Sequence, residues 1–381
     1  MRRTGIGVIV SVLLLVGGCV AARDDDPAPD GPPPEPLVAL DPFAAAGIRA
    51  VRVVPEVDRN LHFDTRADVP PVFAAGGSLV AVTTDREGEV LGVARSADLG
   101  RTWRYVDLPG LTASLVRLGL AEAGPLVVAT GGTDNDSAWV TGDGQGWRGG
   151  PVPTQPGGAL LAAAVRQPDG RVVVGTQGSD DARLVVTADG GSTWQVVDCP
   201  ATFRPAGSPR CEVPRDAGGD LWLRGADVSL DAGRTWKPVT VGTSSVPRVE
   251  DAVALPGGGW LGSAVTLTAP TTRTGVLVRS TDGVAWQPVV ESPCGAGQGA
   301  TVSGPRRIGD RWLVTHTCVD ADDAPQRSHL YLVDRDGTRG RVLVTVDRPG
   351  AWLGAPTAVG DTVVVPEVRR EGPVTFLQLR L

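Results

Sequence analysis

One phrase is written five times in this chain. It reads Ser96-Ala97-Asp98-Leu99-Gly100-Arg101-Thr102-Trp103, then Thr187-Ala188-Asp189-Gly190-Gly191-Ser192-Thr193-Trp194, then Ser229-Leu230-Asp231-Ala232-Gly233-Arg234-Thr235-Trp236. Two copies are one residue shorter: Thr141-Gly142-Asp143-Gly144-Gln145-Gly146-Trp147 and Ser280-Thr281-Asp282-Gly283-Val284-Ala285-Trp286. Ser, Thr and Asp side chains bond to nearby backbone groups, and Gly takes φ > 0, so the phrase predicts a turn with a side-chain clamp. The tryptophan is expected to open the next strand and to bury its ring between neighbouring sheets.

A second signal runs in step with the first. A glycine turn followed by a short apolar strand begins at Gly76, Gly124, Gly170, Gly218, Gly258, Gly309 and Gly360, at spacings of 40 to 51 residues. Between these points short β-rich runs alternate with turn residues, and no helical periodicity of useful length appears. A period of this length with four short strands per unit is the mark of a β-propeller blade. Residues 47–381 therefore predict an all-β, seven-bladed propeller with the Asp phrase between strands three and four of a blade; six blades with an irregular end is the alternative. The sixth unit carries a worn phrase, Asp334-Arg335-Asp336-Gly337, with no tryptophan after it. The seventh runs out of chain after its third strand, 374–381. Its missing strand is expected to be 48–54, which would close the ring and remove an unpaired sheet edge. Pro238 and Pro288 fall in fourth strands, the outer edge of a blade, where a missing N–H is tolerated.

Ahead of this block, Arg2 and Arg3 precede an almost wholly apolar run from Gly5 to Val16 and then Val16-Gly17-Gly18-Cys19. The run is short for a membrane span and reads as a cleaved signal peptide, residues 1–18. The small residues before Cys19 resemble the lipobox of bacterial lipoproteins. That resemblance implies that Cys19 is lipidated and that the chain is anchored on the extracytoplasmic side of the bacterial envelope. Residues 19–46, with Asp24-Asp25-Asp26 and Pro32-Pro33-Pro34, read as an extended tether.

The chain has five cysteines. The four beyond Cys19 form an even set in an exported domain, most simply Cys199–Cys211 and Cys294–Cys318, with both members of the second pair placed in loops. No histidine lies at ligand spacing beside them, and the acidic stretches Asp134-Asn135-Asp136, Asp180-Asp181 and Asp320-Ala321-Asp322-Asp323 lack the regular spacing of a calcium loop. No metal and no cofactor is expected. A formal charge of −7 and the lack of a basic, aromatic-laced patch argue against nucleic acid as a partner.

The phrase S/T-x-D-x-G-x-T-W resembles the Asp-box, or bacterial neuraminidase repeat, and the resemblance covers the whole folded block. Its relatives include sialidases, some endoglucanases, a photosystem assembly factor and sorting-receptor ectodomains, so it implies fold strongly and function weakly. In that family the Asp-boxes lie opposite the functional face. The resemblance thus makes Ser96, Asp98, Gly100 and Trp103 structural, and likewise Thr141, Asp143, Trp147, Thr187, Asp189, Trp194, Ser229, Asp231, Gly233, Trp236, Ser280, Asp282 and Trp286. The functional face is then expected in loops 83–89, 131–138, 176–182, 265–275, 317–328 and 366–372, with Arg369-Arg370, Arg204 and Arg210 as its basic members.

Sialidases of this kind share an arginine triad, an Arg-Ile-Pro segment, an acid/base Asp and a Tyr nucleophile. Here no Arg-Ile-Pro occurs, and the two tyrosines, Tyr105 and Tyr331, fall on strands poorly placed for a central pocket. The reading is a non-catalytic surface propeller that binds a protein or glycan through its loop face. The rival is an extracellular exo-α-sialidase-like glycoside hydrolase working through two carboxylates.

Overall fold

The computed structural model describes residues 35–56, 62–63, 72–84, 90–109, 117–123, 126–132, 137–153, 160–177, 183–204, 211–218, 220–242, 244, 247–267, 273–295, 298–322, 324–370 and 373–381. The signal segment and Cys19 lie outside the described residues. The chain falls into two units, Met1–Pro33 and Pro34–Leu381, and the fold is that of the second.

That unit is nearly all β, and its described strands form six hydrogen-bonded sheets. Sheet I runs through Ser78–Thr84, Val90–Ser96 and Arg104–Val106, with His62–Phe63 and Phe73–Ala75 on its first edge. Sheet II is the antiparallel set Arg117–Ala123, Leu126–Gly132, Ser137–Thr141 and Arg148–Pro151. Sheet III is Leu160–Arg166, Val172–Gln177, Arg183–Thr187 and Gln195–Asp198; sheet IV is Arg215–Asp216, Trp222–Arg224, Asp227–Ser229 and Lys237–Pro238. Sheet V has ten strands: an antiparallel half Va from Arg248–Ala254 to Ala285–Pro288, an antiparallel half Vb from Gly299–Val302 to Gly340–Val346, and the short strand Thr240–Val241 added parallel to Ala285–Pro288. One parallel residue pair, Thr274 with Ala300, joins the halves. Sheet VI pairs Thr362–Arg369 with Thr375–Arg380, and the N-terminal strand Arg49–Val53 adds antiparallel to Thr375–Arg380.

The core is divided among the gaps between sheets. Seven buried clusters occur among the described residues, each drawing on two successive sheets or half-sheets. One of them joins the ends of the chain: Val53, Phe63, Leu79 and Trp103 pack with Val364, Val368 and Phe376. Trp103 stacks on Phe376 at 5.5 Å between ring centroids.

The repeated phrase forms the same turn wherever it occurs. Asp98 Oδ1 accepts from the Ser96 hydroxyl at 2.8 Å and from the N–H groups of Arg101 and Thr102 at 3.1 and 2.9 Å. Its Oδ2 accepts the Thr102 hydroxyl at 2.7 Å, and Ser96 Oγ accepts the Gly100 N–H at 2.8 Å. Asp189 and Asp231 repeat the arrangement with Thr193 and Thr235. In the shorter copies Asp143 takes the N–H groups of Gln145 and Gly146, and Asp282 those of Val284 and Ala285. The difference in length has a backbone cause. The longer copies hold two consecutive left-handed residues, Leu99–Gly100, Gly190–Gly191 and Ala232–Gly233, whereas the shorter hold one, Gly144 or Gly283. The worn phrase of half-sheet Vb keeps the clamp without the tryptophan, since the Thr338 hydroxyl and N–H both bond to Asp334 and Asp336.

Trp103, Trp147, Trp194 and Trp286 are buried between sheets. Trp236 departs from the expectation: it is only partly buried, with the Arg224 guanidinium 4.1 Å above its ring. A second departure concerns the tether, expected to run through residue 46. Val38, Phe43, Ala46 and Ile48 are buried against half-sheet Vb and sheet VI, so the packed region starts well before residue 47. The prolines do not prevent this. Pro42 stands in the first turn of the short helix Asp41–Ala45, where a missing N–H removes no helical bond.

Candidate functional site

Sheets II and IV and both halves of sheet V bring charge to one place. Glu122 lies on the first strand of sheet II, Arg215 on that of IV, Asp251 on that of Va, and Arg306 on the short strand Arg306–Ile308 of Vb. Arg306 Nη2 stands 3.3 Å from Glu122 Oε2, and its Nη1 stands 3.3 Å from Asp251 Oδ2. Arg215 Nη1 donates to the Glu250 carbonyl at 2.7 Å. Among the described residues, sheet II and half-sheet Vb share no hydrophobic cluster, so Arg306 and Glu122 meet between two sheets that are not packed neighbours.

Local sequence explains how these groups are aimed. The register between Arg248–Ala254 and its partner strand slips between Val249 and Asp251, and a bulge of this kind turns a side chain away from the regular pleat. A Cβ at Gly304 would meet Asp251 Oδ2 and push that carboxylate aside, so the glycine leaves room for it beside Arg306. Crowding among the first strands raises the Glu122 carboxyl above its ordinary range. Asp251 adds to that, while Arg306 and Arg215 oppose it. The crowding does not seal the group, whose side chain is still 39% exposed. Chemically this is one guanidinium clamped between two carboxylates, each held by a different nitrogen of the fork. Sequence inspection passes over it because each charge sits in a strand that otherwise alternates like a solvent-facing edge.

The loop face predicted from sequence is described in part. Asp134, Asp136, Asp180, Asp181, Asp323 and Arg210 lie outside the described residues. Asp320 is engaged within its own turn, accepting the N–H groups of Asp322 and Ala324 at 3.0 and 2.9 Å and the Gln326 amide at 2.7 Å. Arg369 donates to the Glu35 carbonyl. Among the described residues, no three His, Cys, Asp or Glu side chains group as a metal site.

Both disulfides are present. Cys199–Cys211 closes the connection between sheets III and IV. Cys294–Cys318 ties the segment between Va and Vb to the strand Arg311–Val319. Cys318 is thus a strand residue and not the loop residue expected, because the strand runs on to Val319. Tyr331 is buried, Tyr105 stands on the last strand of sheet I, and His316 is packed in the strand interior with its pKa pushed down to about 4 by burial.

No protein-family model and no curated protein matches the chain. Solved structures do. The GH74 xyloglucanase from Xanthomonas campestris superposes with a TM-score of 0.50 at 17% identity, over 83% of this chain and 55% of that one. The chain therefore spans about half the xyloglucanase's length. YCF48 bound to D1 peptide follows at a TM-score of 0.49 and 13% identity, covering 88% of this chain and 97% of that one. A streptogramin B lyase gives 0.45 and 13%, covering 87% and 98%.

The fold is a β-propeller. At these identities the likeness concerns fold alone. Within a propeller, the first strands of the sheets face the central axis, and the Glu122–Arg306–Asp251 cluster is an axial feature.

Proposed function

We propose that the chain is an exported lipoprotein whose seven-bladed, Asp-box propeller binds a protein or glycan without transforming it. The observation that carries this reading is the pair of disulfides, which pin two inter-sheet connections to the scaffold. Loops fixed before binding lose little entropy on contact, which suits recognition. The axial acids support it further, because Glu122 and Asp251 are both engaged by Arg306. Seven inter-sheet clusters, with Va and Vb counted as separate blades, support the reading of seven blades. The five clamped turns are the Asp-boxes, structural and remote from the ligand. Cys19 carries the lipid that holds the propeller to the outer side of a bacterial membrane; metabolic palmitate labelling is expected to follow the wild type and vanish in Cys19→Ala.

One observation favours a second reading, a glycoside hydrolase. The raised Glu122 carboxyl shares the axis with Asp251, and two carboxylates of unlike environment are what such chemistry uses. A screen against fluorogenic sialosides and neutral glycosides separates the two. The recognition reading expects no turnover, together with retention of the chain on an immobilised glycan or protein. Turnover lost in Glu122→Gln but kept in Asp189→Ala would make this chain an enzyme.

A further inference from the structure

Half-sheet Vb sets His316 directly opposite His329 across the strand pair Arg311–Val319 and Pro325–Val333. Both side chains are buried, at 2% and 7% exposure. The Tyr331 ring lies 6.2 Å from each imidazole. The Cys294–Cys318 disulfide lies against His316, with Cys294 Sγ 3.8 Å from His316 Nε2. Each imidazole has one nitrogen engaged and one without a partner. His329 Nδ1 meets Thr345 Oγ1 at 3.0 Å and leaves Nε2 over; His316 turns Nε2 to the sulfur and leaves Nδ1 over. Buried polar atoms are nearly always satisfied. Two orphaned nitrogens on directly paired residues therefore point to a common occupant.

We propose that His316 Nδ1 and His329 Nε2 bind a divalent cation of the zinc–copper class. Imidazole nitrogen is a preferred ligand for these ions and a poor one for calcium or magnesium. The Thr345 contact fits the arrangement typical of a metal-ligating histidine. A partner holds one ring nitrogen, fixes the tautomer and leaves the other nitrogen's lone pair for the ion. Since no third His, Cys, Asp or Glu joins the pair among the described residues, the two imidazoles would be the side-chain ligands and water would complete the coordination. The pairing was invisible in the sequence. Strand pairing, not spacing along the chain, brings His316 beside both the cysteine bridge and His329.

The test uses the purified Cys19→Ala chain with both disulfides intact, so that no thiolate competes, after stripping with a chelator. Calorimetric titration with Zn2+ is expected to give one saturable equivalent per chain, with no response to Ca2+ or Mg2+. His316→Gln and His329→Gln should each weaken Zn2+ binding about tenfold or more, and Thr345→Val about tenfold. Electron paramagnetic resonance of the Cu2+-loaded Cys19→Ala chain requires no histidine substitution and is expected to show coupling to two nitrogen ligands, so the proposal stands or falls even if a histidine variant does not fold. Absence of saturable Zn2+ binding, unchanged affinity in folded histidine variants, or a copper spectrum without nitrogen coupling overturns it.

Discussion

Within a single clamped turn, the aspartate is the group whose ionisation matters. The Thr193 N–H and hydroxyl, with the Thr187 hydroxyl, hold the Asp189 carboxyl down to about 2. Asp143 and Asp282 are lowered chiefly by backbone N–H donors, and Asp231 first by the Thr235 hydroxyl. In Asp98 partial burial works against the same kind of bonds, and the carboxyl still lies low. A carboxyl lowered by folding contributes stability that is fully present above its unfolded pKa of about 3.9 and is lost as pH falls through the folded value. The melting temperature is therefore expected to hold down to about pH 5 and then fall steeply toward about pH 2. Asp189→Asn should flatten that acid limb, and melting curves across the range check both. The backbone of the same turns gives a second prediction. Ala232 sits at φ 56°, at the position that Gly144, Gly190 and Gly283 fill in three other copies and Leu99 fills in the fourth. Ala232→Gly removes left-handed strain of about 1–2 kcal/mol and adds about 0.4–1 kcal/mol of unfolded-chain entropy, a net gain of roughly 0.5–1 kcal/mol by denaturant unfolding. A loss of stability would mean that the alanine's partial packing outweighs its strain.

Between sheets, the tryptophans that follow the turns are the main fasteners, but they are not equivalent. Trp286 is fully buried, and its Nε1 donates to the Gly283 carbonyl at 3.0 Å. Trp236 is partly exposed, and its indole nitrogen has no partner. Trp286→Ala is expected to cost about 3–5 kcal/mol, and Trp236→Ala less than about half of that, since less surface is removed from water. Chemical unfolding of the two variants side by side measures the difference; equal losses would show that the partial burial of Trp236 does not govern its contribution. The turn could be read from eight consecutive residues because its bonds span no more than four positions. The unequal burial could not, because it depends on what stands over the ring in space, here the Arg224 guanidinium from the second strand of the same sheet.

The molecule as a whole depends on joining its two ends. Glu367 is fully buried on sheet VI and accepts Arg52 Nε at 2.6 Å, Arg52 Nη2 at 3.0 Å, the Val38 N–H at 3.3 Å and the Thr375 hydroxyl at 2.9 Å. One carboxylate thus holds the N-terminal strand, the segment before it and the C-terminal strand together. Glu367→Gln removes the charge opposite Arg52 and is expected to cost about 3–5 kcal/mol. Hydrogen exchange should locate the damage, with faster exchange in Arg49–Val53 and Thr375–Arg380 and little change in sheets II and III. Uniform acceleration would mean that the ends unfold only with the whole.

The all-β class, the repeating unit, the N-terminal strand's place in the last sheet and both cysteine pairs could be read before any coordinates were known. Turn bonds, glycine φ values and the parity of cysteines act over short stretches of chain, and a repeat multiplies a weak local signal. The axial cluster was not legible: Arg306 and Glu122 stand 184 residues apart, and a charged residue on a first strand reads the same whether it faces solvent or a guanidinium from another sheet. Nor was the start of the packed region. Val38 and Phe43 are isolated apolar residues among prolines, and they are buried because Vb and VI offer them an apolar surface. Periodicity along the chain fixes which face a strand turns inward, but what stands opposite that face depends on how the sheets are arranged in space.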